Sequence, residues 1–527
     1  MNLFNSSFPP PPHLPPKPPA LLISSEGLLK PWLDQLEARL EKVAVGYNSS
    51  SFNIYIGRPA PDLSQFDTAF SALLLDPAHQ QTINFWREKA TDPVLRRRLE
   101  LFRRTFIEAE VSKAAKISEA RNHINDQLIK YQPQVGSEKL TRSDITEILR
   151  TNPDRQRRRQ VYEQALSPLS SRLAPQVTGL LKLRNAEARR MGYPTYADLH
   201  LELLGLNRAS LFGLFDRLAA LTEAPYRAFL EKSQQELGLD RVEPWDLHWL
   251  ADHKATLPET AFQRANILPL VHDLLAWFGL QPAALPIELV TKDIPFGGLC
   301  FTIKVPDDIR IVSNPRDGYP SYRTLVHEFG HGIHAAYNRQ SYFTFKRESG
   351  IFNEGMAETL AYFTHYPEWL TALTGLNQAQ VCQYRQENNN RRILRLRNLL
   401  AQARFEIEAY DKPEADLDRL LAEYEAHYLR LPLNLTPRWA AISFPTTHPI
   451  YRQNYILADL IAAQTHAALN RRFGPFFSLT PPERAGVFNF LRDNYFAPGN
   501  SLEWTGRVQQ ATGQPLSPND LIAELGL

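Results

Sequence analysis

A chain of 527 residues, 43% hydrophobic and 22% charged, can bury a large core, and its net charge of +2 gives no electrostatic bias toward nucleic acid or acidic membranes. The two cysteines, Cys300 and Cys382, exclude a disulfide framework and favour a reducing compartment. Met1 to Phe8 lacks a basic, apolar leader and no run reaches about 18 apolar residues, so the expectation is a soluble, cytoplasmic protein.

From Pro9 to Pro19 only His13, Leu14 and Lys17 interrupt a proline run, which specifies extended polyproline II. Residues 1–24 therefore read as a tail, either a stiff spacer or a ligand for a proline-reading partner. After Ser25 the apolar spacing is helical over Leu28–Ala44, from Thr82 to roughly Tyr131, and from Pro153 to about Met191, where Asn152 and Pro153 suit a cap and a first turn. Arg155, Arg157, Arg158 and Arg159 open that last helix without interleaved aromatics and read as a solvated face rather than a nucleic-acid surface. No internal repeat is visible, and although the length would suit three or four average domains, a deep-channel helical enzyme can be one unit at this size.

Past a helix at Ala261–Phe278, three short segments read as strands: Glu288–Val290, Leu299–Val305 and Ile309–Val312. A strand beside a catalytic site can hold an extended peptide by backbone pairing. Next comes His327-Glu328-Phe-Gly-His331, a pattern that roughly one chain of this length in fifty carries by chance. On a helix, positions i and i+4 share a face, so His327 and His331 can meet one ion while Glu328 reaches a water on it. Leu325, Val326, Phe329 and Ile333 supply an apolar stripe, and Asp317 to Pro320 offers a cap and a first-turn proline. Gly330 inside this helix implies a close approach of another backbone.

A zinc site needs a third protein ligand. The segment from Ser349 reads as a second helix entered through a Gly and an Asn, with Glu354 in its first turn as the third ligand. Glu358, one turn on, could accept the remaining N–H of a ligand imidazole. Helices follow at Asn377–Tyr410 and Leu417–Tyr428, then prolines at 432, 437 and 445 break the chain. His448 precedes a helix bearing Tyr451 and Tyr455, a pattern that by itself also fits a packed aromatic face.

The runs His327-Glu-Phe-Gly-His331 and Phe352-Asn-Glu354-Gly-Met-Ala-Glu358 resemble the glutamate-zincin (gluzincin) peptidases, in particular the thimet oligopeptidase and oligoendopeptidase F group and its relative angiotensin-converting enzyme. The stretch Phe296-Gly-Gly-Leu-Cys300, the triplet Pro244-Trp245-Asp246 and the segment Arg184 to Asp198 are similar to that family's corresponding segments, so the resemblance spans about Asn152 to Leu469. It departs at Gly297, where angiotensin-converting enzyme has a histidine, and in a shorter spacing from His448 to Tyr455.

The resemblance implies a mainly α fold over residues 25–527, two helical lobes around a deep channel with a small β-sheet beside the zinc helix. It implies one Zn²⁺ per chain, although Co²⁺ or Mn²⁺ also suits two imidazoles and a carboxylate. Gly298, Leu299 and Cys300 would then line the substrate, with Cys300 as a small wall residue rather than a nucleophile. Tyr455 and His448, with Tyr451, would donate to the oxyanion. The implied activity is zinc-dependent hydrolysis of short unstructured peptides by a metal-activated water with Glu328 as general base, of the oligoendopeptidase or the dipeptidyl carboxypeptidase type. A hydrolase dedicated to one peptide or to a non-peptide bond, and a non-catalytic peptide-binding protein, remain open alternatives.

Overall fold

The computed structural model describes residues 23, 25–253, 256–294 and 297–527. The proline-rich stretch and Phe296 lie outside the described residues. Helix accounts for 73% of the structure, with two small sheets, so the mainly α expectation holds.

Local chemistry sets the helix ends. The N-terminal helix Glu26–Ile56 closes on Gly57, whose φ of 75° suits a residue without a Cβ. The periodic stretch expected from Thr82 to Tyr131 is three helices, Pro77–Lys89, Pro93–Ser112 and Ala115–Lys130. Asp76 and Asp92 cap the first two ahead of first-turn prolines, punctuation that leaves the apolar period unchanged and so is hidden from it.

The helix expected from Pro153 starts instead at Arg155 and runs through a single π turn at Tyr162–Leu166 into Ser167–Arg190. Its cap is Asp154, which accepts the Gln156 N–H, while Asn152 accepts the Asp154 N–H. The arginine run is a solvated face only in part: Arg159 is exposed, but Arg158 turns inward. Arg158 is 2% exposed, and it and Arg155 converge on the fully buried Asp246 at 2.9 and 2.8 Å. A carboxylate in the interior needs such partners, and the turn Pro244–Asp246 supplies it from 88 residues away.

A small hairpin, β1 (Gln134–Val135) with β2 (Glu138–Lys139), was not evident from the residues. The three expected strands are β3 (Ile287–Thr291), β4 (Gly298–Lys304) and β5 (Asp308–Ser313). They lie in the order β3-β5-β4, β3 parallel and β4 antiparallel to β5, with Cys300 opposite Ile311, which leaves β4 at the edge. Asn48 of the N-terminal helix donates to the Thr302 carbonyl on that strand at 3.0 Å.

Three helices meet beside the sheet: a first ligand helix Tyr319–Ala336, a second ligand helix Gly350–Tyr362, and a tyrosine helix Arg452–Phe473. The second packs on both others. Glycines set the spacing, since a Cβ on Gly330 would fall 2.7 Å from Ala357 Cα and one on Gly355 would fall 3.1 Å from Ile461. The close approach expected at Gly330 is therefore real, and its partner is the backbone of the second ligand helix.

Candidate metal centre

The first ligand helix is entered through Gly318, at φ 106°, with Pro320 in the first turn. Asp317, expected to cap it, instead accepts the Arg264 N–H at 2.7 Å and so serves the preceding helix Arg264–Trp277. In the second ligand helix the cap is Ser349, whose Oγ accepts the Phe352 N–H at 3.3 Å. That start places Glu354 in the second turn, not the first.

The packing brings His327, His331 and Glu354 into one group, their ligand atoms all within 4.8 Å of one another. His327 Nε2 lies 3.4 Å and His331 Nε2 4.0 Å from Glu354 Oε2. Two donors each about 2.0–2.1 Å from a tetrahedral zinc stand roughly 3.3 Å apart; His327 and Glu354 match that spacing, while His331 stands farther off and has to move inward to complete the set.

Glu358 stands where the remaining N–H of a ligand imidazole needs an acceptor, its Oε1 3.4 Å from His327 Nδ1. Arg323 donates to its other oxygen and, through Nε, to His365 Nε2 at 3.2 Å; His365 Nδ1 meets the Tyr319 hydroxyl at 3.1 Å. Burial alone would raise the Glu358 carboxyl, but the Arg323 and His327 charges hold it well below the carboxylate range. Burial would likewise lower His327, yet its bonds to Glu354 and Glu358 push it up to about 10. A pair of buried carboxylates thus favours positive charge at this donor set. Arg323 and His365 were missed at first sight. Arg323 lies one turn before His327 on the same face, which is the one signal the spacing carries.

Glu328 is 8% exposed and faces β4. A Cβ on Gly298 would lie 2.7 Å from its Cγ, so the bare backbone is what lets the carboxylate sit there. Burial, with Glu354 adding repulsion and His327 opposing, raises Glu328 to about 7. That is the range in which a carboxylate both takes and returns a proton near neutrality. Leu299 and Cys300 follow on β4, half-buried. Burial and the Glu328 charge push the Cys300 thiol well above its usual range, against a nucleophilic role.

The expected aromatic donors gather on the opposite side. The Tyr451 hydroxyl donates to Glu354 Oε1 at 2.8 Å. The Tyr455 ring lies 5.4 Å from that of Tyr451. Burial and then the Glu354 charge push the Tyr455 hydroxyl up to about 12, so it keeps its proton. His448 is exposed, ends the short helix Phe444–Thr447, meets Thr447 Oγ1 through Nδ1 at 2.9 Å and lies edge-on to Tyr451 at 5.9 Å.

Two cavities of about 560 and 480 Å³ are lined by segments flanking this group, though by none of His327, Glu328, His331 and Glu354, and share Thr105, Glu108, Ser112, Phe343, Arg347 and Glu348. The larger reaches Asn353, beside Glu354, and the end of β4 from Thr302 to Lys304 with Val305 beyond it; the smaller reaches His448 and Tyr451. Among the described residues no helix is long and apolar enough to cross a membrane.

Among curated proteins, none gives a match to this chain. A family model described as peptidase family M3 matches residues 148–269, the segment that contains Asp246 and the paired Arg155 and Arg158. The match ends before the helices that carry the candidate metal ligands begin, so the matched segment and the donor group are separate residues.

Proposed function

We propose that the chain is a zinc-dependent oligopeptidase that hydrolyses peptide bonds in short unstructured peptides. The observation that carries this reading is the convergence of His327, His331 and Glu354 with Glu328 on the same helix, facing an edge strand. When bound, zinc supplies Lewis acidity toward a water and toward the scissile carbonyl.

The chain's own residues supply the rest. An extended peptide adds antiparallel to β4 at Gly298, Leu299 and Cys300, where backbone pairing gives sequence-tolerant binding. Glu328 takes the proton of the attacking water and returns it to the leaving amine. The Tyr455 hydroxyl, with His448, donates to the developing oxyanion. Glu358, fixed by Arg323, holds the His327 imidazole in the tautomer that leaves Nε2 free. Edge pairing on β4 takes extended backbone, which a folded domain does not present, and that is why short unstructured peptides are the proposed substrates.

The test is a library of short peptides read by mass spectrometry, with zinc content measured on every sample. The wild type should cut. Glu328→Gln should keep its zinc and lose about 10²–10⁴-fold in rate. His331→Ala should lose both metal and activity. Cut positions one dipeptide from the C-terminus would mark a dipeptidyl carboxypeptidase, and internal ones an endopeptidase. A zinc-loaded wild type that cuts nothing would refute the general oligopeptidase reading and favour a dedicated substrate or a binding role.

A further inference from the structure

The segment that delivers Tyr451 to the metal centre is held in a strained conformation. Ile450, a β-branched residue, has φ 53°, in the left-handed region that L-residues disfavour because Cβ crowds the following carbonyl. Such a conformation persists only where its surroundings impose it. Here both ends of the residue are gripped from the interior. Its N–H donates to Glu406 Oε1 at 2.8 Å, and its carbonyl accepts from Gln453 Nε2 at 2.5 Å. Glu406 is 4% exposed and Gln453 fully buried. Upstream, Arg184 donates to the Pro445 and Thr446 carbonyls at 2.5 and 2.8 Å and to the Tyr410 hydroxyl at 3.0 Å. Three side chains, Glu406, Gln453 and Arg184, from three separate stretches of chain thus converge on one short turn.

The next residue after the strained one is Tyr451, whose hydroxyl donates to Glu354 Oε1. The other oxygen of that carboxylate, Oε2, is the one turned toward both imidazole Nε2 atoms. We propose that Glu406 and Gln453 are positioning residues for the metal centre: by clamping both ends of Ile450 they keep the Tyr451 hydroxyl on one oxygen of Glu354, so that the carboxylate presents only the other to the ion. This gives Tyr451 a role through Glu354 and leaves Tyr455 as the donor to substrate. The inference rests on the metal reading of the site, but it does not depend on which bond the enzyme cleaves.

Its test reads zinc affinity by competition with a chromophoric chelator, beside far-UV circular dichroism and the unfolding midpoint of the metal-free protein. Tyr451→Phe removes only the hydroxyl and should weaken zinc by about 10–100-fold, the usual effect of losing a group that orients a metal ligand, with little change in the metal-free midpoint. Glu406→Leu and Gln453→Met, which release opposite ends of Ile450, should each weaken zinc in the same direction. Combining either with Tyr451→Phe should cost no more than Tyr451→Phe alone, because both act through that hydroxyl. Burial lifts the Glu406 carboxyl to about 7 despite its bond from Ile450 and the Arg452 and Arg184 charges, so a neutral amide is a near match. Glu406→Gln, which keeps an acceptor oxygen, should restore affinity close to the wild type.

Zinc affinity unchanged in Tyr451→Phe would overturn the proposal, and so would losses that simply add. Should Glu406→Leu fail to fold, Gln453→Met with Glu406→Gln carries the same comparison. Normal zinc binding by a wild type that cleaves no peptide would count against the peptidase reading alone.

Discussion

In the proposed mechanism Tyr455 acts on the substrate and not through a metal-binding residue, and its hydroxyl, pushed up to about 12, stays protonated across the neutral range. Tyr455→Phe should lower kcat by about 10²-fold with KM little changed, the signature of a donor used mainly in the transition state; an equal change in KM alone, measured by steady-state kinetics, would reassign it to substrate binding. At this scale the sequence was informative wherever partners sit one helical turn apart. His327, Glu328 and His331 declare themselves by spacing, and Glu354 and Glu358 follow on the next helix. Partners that come from afar do not. Glu406 reaches Ile450 across 44 residues and Asp246 reaches Arg158 across 88, and no local period records either meeting. The same blindness turned a buried arginine into a solvated one.

Between elements, the decisive contact is Gly330 against Ala357. A methyl group on Gly330 must push the two ligand helices apart or distort them, so Gly330→Ala should cost about 1–3 kcal/mol, seen as a lower unfolding midpoint, and weaken zinc as well. Gly213, exposed in the helix Arg208–Leu221 with nothing within 4 Å of its missing Cβ, is the control. There Ala should stabilise by about 0.5–1 kcal/mol through helix propensity. Equal responses at the two positions would mean that the spacing of the ligand helices is not set at Gly330. The need for a glycine was legible from its place inside a helical stripe, whereas helix ends were less so. Asp317 looked like the cap of the helix that follows it, and only the fold shows that Arg264, 53 residues earlier, claims it.

Over the whole molecule, a buried ion pair at Glu348 ties the helix Trp504–Thr512 to the first ligand helix and to the entry of the second. Glu348 meets Arg507 at 2.8 and 2.6 Å and His334 at 3.5 Å. Burial would raise its carboxyl, but the Arg507 charge and the His334 and Arg507 bonds lower it from 4.5 to about 2. A carboxyl depressed in the folded state stabilises above its unfolded value and loses that contribution as pH falls through the folded one. Glu348→Gln should therefore cost about 3–5 kcal/mol at neutral pH, and the gap from wild type in urea titrations should narrow between about pH 4.5 and pH 2. A gap that stays constant over that range would show that the charge on Glu348 contributes nothing.

The Gly330 contact also bears on how the donor group adapts to an ion. The two helices already touch backbone to backbone there, so they can draw no nearer, and the spacing between His327 and Glu354 has a floor set by main chain rather than by side chains. On the proposed metal reading, ions of different radius are then met by turning imidazole and carboxylate, not by closing the helices.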